Sequence, residues 1–152
     1  MLFTGTGVFV YRNISIEKAF QADVDLFRLV LIRTRERAIA RDISPAIEEG
    51  NDCPNFVGYN VVLNSVNNTA EEQIVCGSDM GDILTIRTSN FRNINLTNFV
   101  GDLTVGFTYP LGQLSANISA PVIIRNRTST RCVNITINSI GPIDVGEEYT
   151  CP

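Results

Sequence analysis

The chain is sparing with side chains that do chemistry. It contains no histidine, so the residue that most often acts as a general base at neutral pH, or as a metal ligand, is missing. His-dependent triads, zinc sites and haem sites are excluded together. Three adjacent acidic pairs remain: Glu48-Glu49, Glu71-Glu72 and Glu147-Glu148. A glycosidase needs two carboxylates facing each other across a sugar, and neighbours on a strand point to opposite faces. These pairs are read as solvated loop charge. In Gly77-Ser-Asp-Met-Gly-Asp82 the serine follows the first glycine directly, unlike a nucleophile elbow, and there is no histidine to activate Ser78. Asp79 and Asp82 could share a calcium ion with backbone carbonyls of this Gly-rich turn. The spacing is not that of an EF-hand, and a plain hairpin turn also accounts for it. No cofactor is implied, and the chain reads as non-enzymatic.

Binding chemistry is better represented. Arg125, Arg127 and Arg131 form a small basic patch, and the planar guanidinium suits phosphate. Arg125 and Arg127 share a face if their segment is extended. Asp144, Glu147 and Glu148 are the acidic groups that could neutralise them. The net charge of −4 argues against a general nucleic-acid binder, leaving only a local phosphate or DNA contact. Six Asn-x-Ser/Thr sequons begin at Asn13, Asn67, Asn95, Asn117, Asn126 and Asn134. Chance pairing of this chain's asparagines and hydroxyl residues would give about two. In a secreted protein of a glycosylating cell the excess suggests a sugar-bearing surface.

Four cysteines, Cys53, Cys76, Cys132 and Cys151, show no C-x-x-C spacing, which disfavours redox motifs and zinc knuckles. Two structural disulfides in an oxidising compartment follow. Three connectivities are open; Cys53–Cys76 with Cys132–Cys151 is favoured because each closes a local loop, worth roughly 3 kcal/mol.

These residues must be carried by elements of two kinds. Phe20, Val24, Phe27, Leu31, Thr34 and Ala38 recur at helical steps, which predicts one amphipathic helix over 15–41. Ser15 is its expected N-cap, with Glu17 in the first turn. Ser44-Pro45 opens a further short turn that Gly50 closes. Strand candidates follow at 57–63, 73–76, 83–87, 103–109, 122–125, 132–138 and 143–145, separated by Asn, Gly and Pro clusters. Charged residues make up 18% and lysine appears only at Lys18, so Asn, Ser and Thr must supply much of the surface. The expected fold is α+β: a long N-terminal amphipathic helix packed on an antiparallel β-sheet or sandwich, with two disulfides. It is one domain over 15–152, β-rich over 56–152, preceded by a truncated segment over 1–14. Met1–Val10 is apolar but too short to cross a bilayer; it reads as the tail of a longer apolar helix, with a first strand or a disordered start as alternatives.

A long amphipathic helix followed by a β-rich, disulfide-bonded domain resembles the type IV pilins and type II secretion pseudopilins, and most closely the H-type pseudopilins and FimT-like minor pilins. Three stretches carry the resemblance: Leu31-Ile-Arg-Thr-Arg-Glu-Arg-Ala-Ile-Ala-Arg41, Phe107-Thr-Tyr-Pro-Leu-Gly112 and Val133-Asn-Ile-Thr-Ile-Asn-Ser-Ile-Gly-Pro-Ile-Asp-Val145. The family's cleavage motif and the long apolar run after it are missing, and Pro142 stands where an arginine is common. The resemblance implies a filament subunit at the cell surface, whose partners are other pilin subunits met through Phe20, Val24, Phe27 and Leu31. It also implies a displayed β-domain with DNA or a cell-surface ligand as further partners, and membrane contact only through the missing segment. A secreted glycosylated adhesin or envelope domain, its helix wholly inside its own core, is the competing expectation.

Overall fold

An apolar residue at every third or fourth position favours a helix that buries one stripe. In a computed structural model, which describes residues 4–77, 83–115, 120–139 and 142–152, that helix is α1 (Thr4–Ala40). At 1.5 Å per residue it is a rod of roughly 55 Å. It starts well before Ser15, which therefore lies in the helix interior and is not an N-cap; residues 4–14 are its first turns. The physical reason is that no proline interrupts the stretch; Gly5 and Gly7 weaken a helix without stopping it.

The C-terminal end is a Schellman turn. Asp42 N–H donates to Arg37 O (3.0 Å) and Arg41 N–H to Ala38 O (3.3 Å), while Arg41 takes φ +53°. Glycine is the usual residue there, which is why the sequence carries no obvious stop. A short helix α2 (Ser44–Glu48) follows with Pro45 in its first turn. Ile43 occupies the cap position expected for Ser44, and the exposed end is tied instead by Asp42 Oδ1, which accepts from Ser44 N–H at 3.2 Å.

The rest of the chain forms two antiparallel sheets. The first comprises β1 (Gly58–Asn64), β2 (Thr69–Val75), β3 (Ile83–Asn90), β5 (Asp102–Thr108) and β6 (Gln113–Leu114), in the order β3-β2-β1-β5-β6. The second comprises β4 (Ile94–Thr97), β7 (Val122–Asn126), β8 (Arg131–Ile137), β9 (Ile143–Val145) and β10 (Tyr149–Thr150). Its order is β10-β8-β7-β4, with β9 also on β8. The long strands coincide with the period-2 segments of the sequence. The short β4, β6 and β10 do not: two residues carry no periodicity, and Asn93-Ile-Asn-Leu-Thr-Asn98 has turn composition.

Both sheets turn their inward rows to α1. Tyr59, Val61, Leu63, Ile74, Val105 and Phe107 meet it from the first sheet; Ile94, Leu96, Ile124, Val133 and Ile135 belong to the same buried cluster from the second. The sheets are stitched by Asn68, buried at the end of the β1–β2 turn with φ +53°, a backbone state that asparagine tolerates. Its Oδ1 accepts from Leu96 N–H (3.0 Å) and its Nδ2 donates to Asn95 Oδ1 (3.3 Å). Disulfides join Cys53 to Cys76 and Cys132 to Cys151, with Cα atoms 4.9 and 5.3 Å apart. The protein is thus an α+β fold with one long helix packed on antiparallel sheets, and its two disulfides belong to an oxidising, extracellular or periplasmic setting.

Candidate functional site

The outward face of the second sheet holds a polar concavity. Along β7 the buried residues Val122, Ile124 and Asn126 alternate with the more exposed Ile123 and Arg125. Register places Asn95 beside Arg125 and Thr97 beside Ile123, so all four share the outer face. Just past β7, Arg127 is fixed at three points: its N–H donates to Asn93 O (3.0 Å), its Nε to Asn95 Oδ1 (3.2 Å) and its Nη1 to Arg92 O (3.1 Å). Asn95, Thr97, Arg125, Asn126 and Arg127, with the hydroxyl residues Thr128, Ser129 and Thr130, line a groove of about 420 Å³ that has no carboxylate among its described residues. Guanidinium and hydroxyl donors of this kind can hold anionic or polyhydroxyl groups.

The three-arginine patch is therefore divided. Arg125 faces Cys132 across the ladder, so Arg131, one residue away, points to the opposite side of the sheet. There its Nη1 lies 2.9 Å from both Glu17 Oε1 of α1 and Glu148 Oε2. The hydrogen bond to Glu148, reinforced by the charge of Glu17, raises its pKa above the ordinary arginine value. Glu148 thus neutralises Arg131 as the sequence suggested it could, whereas Asp144 is bonded to Asn138 Nδ2 (3.1 Å). Arg92, which sequence reasoning missed, comes to the groove through its carbonyl; only the fold joins it to Arg127. Asp79, Asp82 and Asn117 lie outside the described residues.

The helix face is a correction. Phe20, Val24, Phe27 and Leu31 are at most 1% exposed. The stripe expected to meet neighbouring subunits is spent on the chain's own sheets. On α1, the large apolar side chains Ile14, Leu29 and Ile39 are exposed.

Glu71-Glu72 is a second correction. The pair sits on β2, where strand alternation turns Glu72 inward and buries it completely. Its carboxylate accepts from Arg33 Nε (3.0 Å) and Nη2 of α1, and from Thr34 Oγ1 (2.9 Å). A bidentate guanidinium and a hydroxyl together satisfy a charge that could not otherwise stay buried. Asp23, also on α1, similarly accepts from the N–H groups of Arg92 (2.9 Å) and Asn93 (2.7 Å), fixing the turn that leads into β4 and the groove. Tyr59 O–H donates to Asp42 O; burial, and next the charge of Asp42, push its pKa up to about 12. These groups hold the helix in place and offer no nucleophile–base pair.

Comparison with protein-family models, with characterised proteins and with solved structures finds no match to this chain.

Proposed function

We infer that the chain is a structural, non-catalytic subunit of an extracytoplasmic filament of the pilin or pseudopilin kind, its two sheets forming a displayed sandwich. One observation carries the reading. α1 is a single rod in which residues from Glu17 onward are clamped to the sheets, by the Glu17–Arg131 ion pair, Asp23 and the Arg33–Glu72 pair. Residues 4–16 continue the same rod. A helix clamped to its own domain over its second part and continuing N-terminally as one rod is a means of linking one domain to its neighbours. No helix among the described residues is long and apolar enough to cross a membrane.

Because the Phe20–Leu31 stripe is internal, assembly is assigned instead to the first turns of α1 and to exposed Ile14. Ile14→Asp should leave the urea midpoint unchanged and lower filament incorporation; Phe27→Asp should unfold the domain outright. Normal incorporation of the Ile14→Asp chain would count against the reading. The direct test is mass spectrometry of the N-terminal peptide from source cells. An apolar segment upstream of Met1, beginning with an N-methylated residue, supports a filament subunit. A chain beginning near Met1, or after an ordinary signal peptide, sinks that reading and leaves a secreted binding domain.

A further inference from the structure

The sequons outnumber chance, and the fold treats them unequally. In an extended strand the asparagine and the hydroxyl residue of Asn-x-Thr are two positions apart and so share one face. Asn95 with Thr97 on β4, and Asn134 with Thr136 on β8, therefore each present a complete acceptor pair on the outer face of the second sheet. Asn67 sits exposed in the β1–β2 turn, whose backbone is set by Asn64 Oδ1 accepting from Val66 N–H (3.0 Å) and Asn67 N–H (2.7 Å).

The orientation of each carboxamide is decisive, because N-glycosylation uses Nδ2 and leaves Oδ1 as a carbonyl acceptor. Asn95 Oδ1 accepts from Asn68 Nδ2 and Arg127 Nε. Asn134 Oδ1 accepts from Tyr149 O–H at 2.7 Å. Both side chains are thus held by the atom that a glycan would spare, and neither Nδ2 is enclosed or donates to a described residue. Asn126 is the reverse case. Its Oδ1 accepts from Thr128 N–H (2.9 Å) and Oγ1 (3.0 Å), while its Nδ2 is enclosed with no hydrogen-bond partner among the described residues. The residue is only 2% exposed.

We propose that Asn67, Asn95 and Asn134 carry N-linked glycans in the mature protein and that Asn126 does not. The donor is a lipid-linked sugar pyrophosphate. Asn Nδ2 gives one proton to the transferase's base and bonds to the anomeric carbon; the anomeric C–O bond breaks and the lipid pyrophosphate leaves with the electron pair. A sugar placed on Asn126 before folding would have to enter the core, so such chains do not reach the folded pool. The Asn95 glycan rises beside the groove, and Arg125 and Arg127 then face the chain's own sugar. The assignment is independent of filament assembly.

The test is intact-glycopeptide mass spectrometry of the folded, soluble protein from its source cells, with fragmentation that keeps the sugar attached. Sugar masses are expected on the peptides holding Asn67, Asn95 and Asn134, beside an unmodified Asn126 peptide. Thr69→Ala and Thr136→Ala should each remove one sugar mass. A bare asparagine at 67, 95 or 134 overturns the assignment of that site, and sugar on Asn126 overturns the orientation rule itself.

Discussion

Glu72 carries a full charge into the core and survives there because Arg33 and Thr34 reach it from the helix. Removing one member of such a pair leaves the other uncompensated. Arg33→Met alone should therefore cost about 3–5 kcal/mol, whereas Arg33→Met with Glu72→Leu should recover most of that loss. Urea unfolding of the two variants decides it, and equal losses would mean that the cost lies in packing and not in charge. Tyr59 makes a pH prediction. Its folded pKa is about 12, against about 10 in an unfolded chain. The unfolded state ionises first, so the contribution to stability is intact below pH 10 and is lost as pH rises towards 12. Tyr59→Phe should flatten the fall in urea midpoint between about pH 10 and about pH 12. At this scale the sequence was least informative. Glu71-Glu72 reads as loop charge because the strand pattern begins only at Gln73; β2 starts at Thr69 and turns Glu72 inward, and only the register of α1 over that strand brings it Arg33. The same holds for Arg131, which looks like part of a patch until Glu17 arrives from residues far away in the chain.

The elements were more legible, because periodicity is a local property. The long strands and the buried face of α1 follow from apolar spacing alone, and the disulfide pairing agrees with the shortest loops. The start of α1 was hidden, since the apolar stripe that marks the helix in the sequence begins only at Phe20 while the helix begins at Thr4. The turn from β5 to β6 has a packing reason that its composition only hints at. Gly112 has φ +61°, and a Cβ there would lie 2.8 Å from Ile39 Cγ1 and 3.1 Å from Arg35 Cγ on the last turns of α1. Gly112→Ala should cost about 1–2 kcal/mol from the backbone alone, read as a lowered thermal midpoint; an unchanged midpoint would show that α1 can yield. Replacing Cys53 and Cys76 with serine should cost about 2–4 kcal/mol, mainly by freeing the unfolded chain.

At the scale of the whole molecule, α1 packs on strands of both sheets. Leu31 lies at the centre of its buried stripe, so Leu31→Ala should cost about 2–5 kcal/mol. It should also lower hydrogen-exchange protection in β1 and β5 as well as in β7 and β8. A loss confined to one sheet would show that the two fold as separate units. The α+β layout was readable because a helix-period segment precedes strand-period segments. The division into two sheets was not, because strand order depends on pairings that no local pattern specifies.

Neither disulfide closes a loop that contains α1: one spans Cys53–Cys76 and the other Cys132–Cys151. The helix is held only by non-covalent contacts, while both sheets carry covalent clasps. Under tension applied between the two ends of the chain, the helix should peel away first and the clasped sheets should yield later. In a single-molecule pulling experiment the first rupture force should be the same with and without a reducing agent, and only the later extension should lengthen when the clasps are opened.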